Sequence, residues 1–461
     1  MHNKKISGRL WFNMILFGLV GQLAWNVENM YFNTFLYNSI YSGGASQEAI
    51  NGTMPVMSAI SIMVALSAAT AVITTFVMGT LSDRLNRRKL FISIGYILWG
   101  IVTALFGLIS RDHIAALFHL SDEVKILTAT VWTVILMDCL MTFMGSTSND
   151  SVFNAWVTDV TAPENRPKVE TVFAALPIVA MGAVVGVGSL AQSGVIGYDL
   201  FFLGLGAFVI ACGVVGLFTL QEPQHRIHQS NANYWSDLFY GFRPSVIRSH
   251  KRLYLALSTL GFFAIAVQVF FPYLLIYIQY MVLPGVPAMD LWDASYYICD
   301  AVSVAVMLGG IILLLKLGGK NKVYAMVPGS VCFVAGLVAL FFAHDLRAVL
   351  LGVAPTVVGY AVLMIMLNAS VRDFTPEDKA GQFQGIRMIF YVLLPMVIGP
   401  ALGNIASTSS AVHYTDEYGV SQTAPTSAMF LCAAAVAVLV FLPLGFLIKK
   451  GFTPTQEENE A

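Results

Sequence analysis

Residues 79–89 read Gly79-Thr-Leu-Ser-Asp83-Arg84-Leu-Asn86-Arg87-Arg88-Lys89, a strongly charged stretch between two long apolar runs. The runs cover roughly 54–80 and 89–110. An apolar run of about 20 residues can span a bilayer core of about 30 Å as an α-helix. The charged stretch is therefore predicted to be a tight connection, at the membrane surface, between two membrane-spanning helices.

The same alternation of apolar runs and polar connections covers all 461 residues of the chain. The sequence is 57% hydrophobic and only 11% charged, whereas a soluble domain has about 25% charged residues. The apolar runs are continuous rather than alternating, which excludes a membrane β-barrel. We therefore predict an all-α membrane protein with twelve transmembrane helices. The predicted spans lie at 11–38, 54–80, 89–110, 127–157, 169–194, 198–220, 253–282, 291–315, 323–343, 346–371, 383–407 and 426–448.

The basic residues divide unequally between the two sides of this arrangement. Of the 25 Lys and Arg residues, 21 fall in the termini and the even-numbered connections, and only Arg111, Lys125 and Arg347 fall in the others. Connections rich in Lys and Arg stay on the cytoplasmic side. We therefore predict a multi-pass protein of the cell membrane with both termini in the cytoplasm.

One polar segment occurs in both halves of the chain. Asn154-Ala-Trp-Val-Thr-Asp159-Val-Thr follows the fourth span, and Asn368-Ala-Ser-Val-Arg-Asp373-Phe-Thr follows the tenth. Two parallel six-helix halves are the plan of many transporters. The predicted domains are two pseudo-symmetric six-helix bundles, at 1–220 and 252–461, and a cytoplasmic central loop with an interfacial helix at 221–251.

Residues 79–89, in this position of a twelve-span chain, resemble the signature of the major facilitator superfamily between its second and third helices. Asn86 departs from the usual glycine, but asparagine is the next best residue for a left-handed turn. Asn149-Asp150-Ser-Val-Phe153 and the segment from Asp159 to Arg166 are most similar to the glycoside-pentoside-hexuronide cation symporters and the sucrose-carrier-like proteins. The resemblance implies the major facilitator fold.

The signature stretch has two interpretations. An acid among several bases at a membrane interface can hold two helical bundles together in one state and release them in another. The alternative is a topology anchor that contains one acid. We favour a gate, formed by Asp83, Arg84, Arg87 and Arg88.

Three carboxylates in the first half are candidates for cation coupling: Glu28, Asp138 and Asp150. At the bilayer centre an unpaired carboxylate costs at least ~2.5 kcal/mol, so each must be paired, hydrated or protonated. The resemblance places Asp150 in the cation site of sodium-coupled glycoside symporters, but the two acids that this family carries in its second helix are replaced here by Ala71 and Thr75. A proton is therefore the predicted coupling ion, and the alternative for any one carboxylate is a purely structural role.

Polar stripes on predicted helices are candidates for solute binding. Amide side chains spaced three or four residues apart share one helical face, and such a face cannot contact lipid. Amides bond sugar hydroxyls and aromatic rings stack on sugar rings; the alternative is that these residues bind helices to each other. The candidates are Gln22, Trp25, Asn26, Asn29, Asn33, Asn149, Gln268, Tyr273 and Gln279.

These features predict a monomeric secondary active transporter that moves a small neutral solute, a sugar or glycoside, by alternating access with proton symport. An exporter or exchanger of another small organic solute and a membrane-embedded sensor remain alternatives. The chain contains no phosphate-binding loop, nucleophile motif or intramembrane His/Glu ligand set. We therefore expect no enzymatic activity, cofactor, metal or nucleic-acid partner; the expected partners are the solute, the cation and the lipid bilayer.

Overall fold

The structure of the chain is a computed structural model that describes residues 6–42, 44–85, 87–161, 165–192, 194–222, 240–285, 294–319, 322–376, 380–410, 412–415 and 419–450. Twelve long helices dominate this part of the chain. They are α1 (Gly8–Tyr41), α2 (Val56–Leu85), α3 (Arg88–Phe106), α4 (Glu123–Val160), α5 (Arg166–Gln192), α6 (Tyr198–Thr219), α7 (Lys251–Val282), α8 (Ala294–Gly318), α9 (Val323–Phe342), α10 (Leu346–Phe374), α11 (380–409) and α12 (Ala428–Lys449).

The twelve helices correspond one by one to the predicted spans. Within the described residues, eleven contain a stretch long and apolar enough to cross a membrane, and the shorter apolar part of α5 is Ala175–Ala191. The prediction of an all-α twelve-helix protein is confirmed. The helix bounds differ from the predicted spans by a few residues; α2, for example, continues to Leu85, past the predicted end at residue 80. Charged side chains reach water from a helix that begins in the membrane, so the helical backbone does not stop where the apolar run stops.

The chain divides into two compact units, Met1–Asn231 and Ala232–Ala461. The predicted central loop at 221–251 includes this division. Most of its predicted interfacial helix lies at 223–239, outside the described residues; the described end contains a 3₁₀ turn at Tyr240–Phe242 and a short helix at Pro244–Ser249.

In the first unit, α3 and α6 pack backbone against backbone. A Cβ atom added to Gly100 would lie 2.6 Å from the carbonyl oxygen of Gly206, so neither position has room for a larger residue. Beside this contact, Phe106 stacks on Phe32 of α1 at 3.8 Å and contacts Phe202 of α6 at 5.7 Å between ring centroids. Close packing of aromatic and small residues thus holds α1, α3 and α6 together.

In the second unit, α8, α9 and α10 share a core formed by Leu314, Ala325, Val358 and Val362. The connection between α11 and α12 contains a two-stranded antiparallel hairpin, β1 (Val412–Thr415) and β2 (Ser421–Ala424), with Val412 paired to Ala424 and Thr415 to Ser421.

Several of the long helices change from α to π geometry along their length. The π segments are Glu28–Phe32 and Leu36–Tyr41 in α1, Ser146–Phe153 in α4, Ile278–Val282 in α7 and Ile389–Leu393 in α11. A π turn accommodates an extra residue and occurs frequently at functional sites. Two of the three candidate carboxylates, Glu28 and Asp150, lie in such segments.

Candidate functional site

Glu28 is buried in the first unit and is bonded only by hydroxyl groups. Its Oε1 accepts hydrogen bonds from Ser67 of α2 and Thr142 of α4, each at 2.7 Å. The two hydroxyl oxygens are also 2.7 Å apart, so the three oxygens form a triangle. The second carboxyl oxygen, Oε2, is buried without a hydrogen-bond partner. One oxygen of the carboxyl group is therefore satisfied and the other is not.

Asp138 lies one helical turn before Thr142 on α4 and is only 2% exposed. Its Oδ1 is also buried without a hydrogen-bond partner. The carboxyl group is near enough to Glu28 for a direct electrostatic interaction. The structure thus brings together two acids that the sequence predicted to be at similar depths on helices of one bundle.

Asp150, in the π segment of α4, has a more polar environment. Its Oδ2 accepts a hydrogen bond from Ser146 at 3.1 Å, and the indole of Trp25 approaches the same carboxylate. A cavity of about 90 Å³ adjoins it, lined among others by Gln22 and Asn149. Such a cavity can hold water, but it is smaller than the about 300 Å³ of the smallest typical ligand pockets.

Asn149, beside Asp150, is fixed by the packing of α1, α3 and α4. Its amide nitrogen donates to the hydroxyl of Tyr96 at 2.6 Å, and that hydroxyl donates to the carbonyl oxygen of Phe17 at 2.7 Å. The Asn149 side chain also lies on Gly21, where an added Cβ would be 2.3 Å from its amide nitrogen. Asn149 therefore joins three helices in addition to lining the cavity.

The predicted stripe on α1 forms one row in which three amides bond their own helix. Asn26, Asn29 and Asn33 each donate to the backbone carbonyl oxygen four residues earlier, at 2.9, 2.7 and 2.9 Å. Gln22, Asn26 and Asn29 are half-buried, whereas Asn33 is fully buried. Trp25 is half-buried beside them and packs against Trp99 at 5.1 Å between ring centroids.

The predicted binding residues of the second unit separate into two groups. Gln268 and Gln279 are half-buried, and the backbone of Gln268 lies against Gly399 of α11. Tyr273 is fully buried, and its hydroxyl donates to the carbonyl oxygen of Pro400 at 2.8 Å. Its ring has no exposed face on which a sugar could stack. In this structure Tyr273 packs between α7 and α11, and its role in solute binding stays a prediction.

The predicted gate residues lie at the end of α2 and the beginning of α3. Arg88 is buried, and its guanidinium bonds Asp159 at 3.1 Å and the hydroxyl of Ser82 at 2.8 Å. Arg87 is exposed, and the side chains of Asp83 and Arg84 lie outside the described part. Asp159 was not among the predicted gate residues, although it belongs to the repeated segment.

The second unit has an ion pair at the corresponding place. Lys322, at the beginning of α9, bonds Asp373 at the end of α10. Asp373 occupies the same position of the repeated segment as Asp159, and Lys322 precedes α9 as Arg88 begins α3. The sequence repeat therefore corresponds to a repeated contact between an acid and a base.

Ser67 contacts Glu28 and was not among the predicted site residues. A hydroxyl in an apolar run carries little signal by itself. Its spacing was informative, however, because Ser67, Ala71 and Thr75 lie four residues apart on one face of α2. Ala71 and Thr75 are the positions at which the glycoside symporters named above carry acids, and Ser67 lies one turn before Ala71 on that face.

Comparison with solved structures shows similarity of fold over nearly the whole chain. A bacterial homologue of the human lysosomal transporter Spinster, in its inward-facing unoccupied conformation, has a TM-score of 0.62 at 14% identity, covering 98% of this chain and 100% of that one. The nucleoside transporter NupG, in a mutant form, has a TM-score of 0.59 at 12% identity, covering 95% of this chain and 99% of that one. No curated protein sequence matches significantly.

The sequence profile described as Major Facilitator Superfamily matches residues 23–400, more than three quarters of the chain. This range includes most of both units, the repeated segments and the buried carboxyl groups of α1 and α4. The chain is a multi-pass membrane transporter that belongs to the Major Facilitator Superfamily.

Proposed function

We propose that this transporter moves a small neutral solute, a sugar or glycoside, by alternating access with proton symport. In this proposal it acts as a monomer in the cell membrane, with both termini in the cytoplasm as the distribution of basic residues predicts. The observation that carries the proposal is the group of buried carboxyl groups in the first unit, Glu28, Asp138 and Asp150.

The carboxyl groups are suited to carry a proton because nothing described around them neutralises a negative charge. Glu28 has only hydroxyl donors, and its Oε2 is buried without a partner. The ion pairs found among the described residues of this unit involve other acids. A charged group in such a place is unfavourable, and protonation removes the charge. A carboxyl group that gains and loses one proton per cycle can therefore couple transport to a proton gradient.

A metal cation is less well accommodated than a proton. The triangle formed by Glu28 Oε1 and the hydroxyls of Ser67 and Thr142 has sides of 2.7 Å. These three oxygens are already hydrogen-bonded to one another, and three ligands are fewer than the six that Mg²⁺ requires. Within the described residues, no group of three or more His, Cys, Asp or Glu side chains could hold a metal ion.

A neutral solute is favoured by the character of the remaining polar groups. The half-buried amides of Gln22, Asn26, Asn29 and Gln268 are donors and acceptors for hydroxyls. Arg387 of α11, the basic residue that lies farthest from the ends of a predicted span, donates to the amide oxygen of Asn368 at 3.2 Å. An anionic solute would require a stronger concentration of positive charge than this arginine supplies.

The signature stretch is proposed to act as the cytoplasmic gate. Asp83 and Arg84 lie at the end of α2, and Arg88 is anchored to Asp159. Asp83→Asn is expected to slow conformational exchange and reduce transport, because it removes the acid of the cluster. Solute affinity should remain within a few-fold, since the residue lies far along α2 from Ser67. Wild-type transport rates in this variant would contradict the gate.

The decisive experiment for coupling uses the purified protein in lipid vesicles. A pH gradient should drive accumulation of a solute identified from a panel of mono- and disaccharides. Glu28→Gln should abolish this accumulation and preserve counterflow, in which labelled and unlabelled solute exchange without a gradient. Ser110→Ala, outside the transmembrane helices, is the matched control. Accumulation that follows a sodium gradient, or exchange alone in the native protein, would reject proton symport and favour the sodium-coupled or exchanger alternative.

A further inference from the structure

The second unit contains a pocket at one end of its helices, separate from the carboxyl groups described above. It has a volume of about 260 Å³ and is formed by the end of α7, the connection from α9 to α10, and the hairpin with the beginning of α12. Its lining residues include Tyr277, Met281, Phe341, His344 and Ser427. Three separate segments of the chain therefore converge on one cavity.

The hairpin that covers this pocket is fixed to α7 and closed at its base. Tyr414 of β1 stacks on Tyr280 of α7, with ring centroids 4.9 Å apart and an interplanar angle of 28°. At the base of the hairpin, the hydroxyls of Ser410 and Thr426 are 2.5 Å apart. A two-stranded hairpin is marginally stable by itself, so these contacts keep it over the pocket.

The chemistry of the lining indicates the class of ligand. Phe341 is half-buried and provides the aromatic surface of the lining, whereas Tyr277 is almost fully buried and contributes little to it. Ser427 lies at the N-terminal cap of α12, but its hydroxyl does not cap the helix, so it is available to a ligand. None of the described lining residues is Asp, Glu, Lys or Arg. Aromatic surface with hydroxyl groups and no formal charge suits an uncharged ring that carries hydroxyls.

The volume limits the size of this ligand. Pockets for drug-sized molecules measure about 300–1,000 Å³, and this pocket is slightly below that range. It therefore suits a single sugar ring better than a disaccharide.

We propose that this pocket is an entry site, on the outer side of the membrane, for the neutral ring solute that the protein transports. The inference rests on the proposed function for the class of solute. The outer location follows from the order of helices: successive helices joined by short connections are antiparallel, and the ends joined here are opposite to the predicted cytoplasmic ends. A site beside the π segment of α7 would place solute next to a helix whose geometry is already irregular.

The test uses Ser427→Cys in a full-length background in which the five native cysteines are replaced by serine and transport is retained. Intact cells are treated with a membrane-impermeant maleimide in the presence of D-glucose, D-xylose, methyl β-D-glucoside or uridine. A transported solute should protect the Ser427→Cys variant from alkylation by the maleimide. At a solute concentration of about nine times its Kd, the rate of alkylation should fall about tenfold. Ser421→Cys, on the exposed surface of the same hairpin, is the control and should react at one rate with and without solute.

A second variant separates a binding role from simple shielding. Phe341→Leu retains apolar volume but removes the ring, so half-maximal protection should require about three- to tenfold more solute. If a solute that the same protein transports leaves the alkylation rate of the Ser427→Cys variant unchanged, the entry site is overturned and the proposed function stays intact. Protection only by solutes that are not transported would also overturn the entry site, because the pocket would then bind something other than the transported solute. Labelling only after the cells are permeabilised would overturn the outer location.

Discussion

Arg88 and Asp159 form an ion pair between the beginning of α3 and the end of α4, with 3.1 Å between Nε and Oδ2. The pair is repeated in the second unit by Lys322 and Asp373. The two copies differ in burial: the side chain of Asp159 is 21% exposed and that of Asp373 is 52% exposed. Among the described residues, the base of the first unit has an additional hydroxyl partner, Ser82.

The difference in burial predicts different effects of the same substitution. Asp159→Asn leaves a buried guanidinium without its charge partner and should lower the free energy of unfolding by about 1–3 kcal/mol, somewhat less than for a fully buried pair. Asp373→Asn removes a solvent-screened pair and should lower it by less than about 1 kcal/mol. Thermal unfolding of both variants in detergent measures the difference. Equal shifts in melting temperature would show that burial does not decide the strength of these pairs.

Much of the fold could be predicted from the sequence, because an apolar run of membrane-spanning length has few alternatives to a helix. The positions of Glu28 and Asp138 could also be anticipated, since both lie deep in helices of one half. The π segments could not, because the extra residue in a π turn leaves no mark in hydrophobic periodicity. The hydrogen bond from Asn149 to Tyr96 could not be predicted either, since it depends on how α1, α3 and α4 cross.

The crossing of α1 and α4 at Gly21 gives a prediction for stability. Gly21→Ala would place a Cβ 2.3 Å from the amide nitrogen of Asn149 and displace that side chain from Tyr96. We expect a loss of about 1–3 kcal/mol in unfolding free energy. The matched control is Gly204→Ala on α6, where an added Cβ meets nothing within 4 Å; there the change should be neutral or should stabilise by up to about 1 kcal/mol. A Gly21→Ala protein as stable as the control would contradict the close crossing.

Solute contact is predicted for the amides of α1 and α7 and not for the hydroxyl of Tyr273. Asn29→Ala and Gln268→Ala should each weaken solute binding by about 1–3 kcal/mol, because each leaves a solute hydroxyl unpaired. Tyr273→Phe should leave binding unchanged and lower the free energy of unfolding by about 1 kcal/mol, since it removes the hydrogen bond to Pro400. Calorimetric titration and thermal unfolding check the two effects. Unchanged titrations for both amide variants would assign these residues to helix packing.

The last prediction concerns which carboxyl group carries the proton. Glu28 and Asp138 interact and each has a buried oxygen without a hydrogen-bond partner, whereas Asp150 is bonded by Ser146 and adjoins a cavity that can hold water. This arrangement suggests that Glu28 holds the proton and that Asp150 exchanges it with water.

Neutralising each group in turn distinguishes these roles. Glu28→Gln should eliminate proton-driven accumulation and spare counterflow, as should Asp138→Asn if the two groups share the proton. Asp150→Asn should slow accumulation without eliminating it, because the carrier remains but its route to water is impaired. Uptake and counterflow are measured side by side in vesicles for the three variants, with Glu48→Gln as a control that neutralises an exposed acid outside the twelve long helices. Driven accumulation at the native level in all three carboxyl variants would show that none of these groups carries the coupling ion.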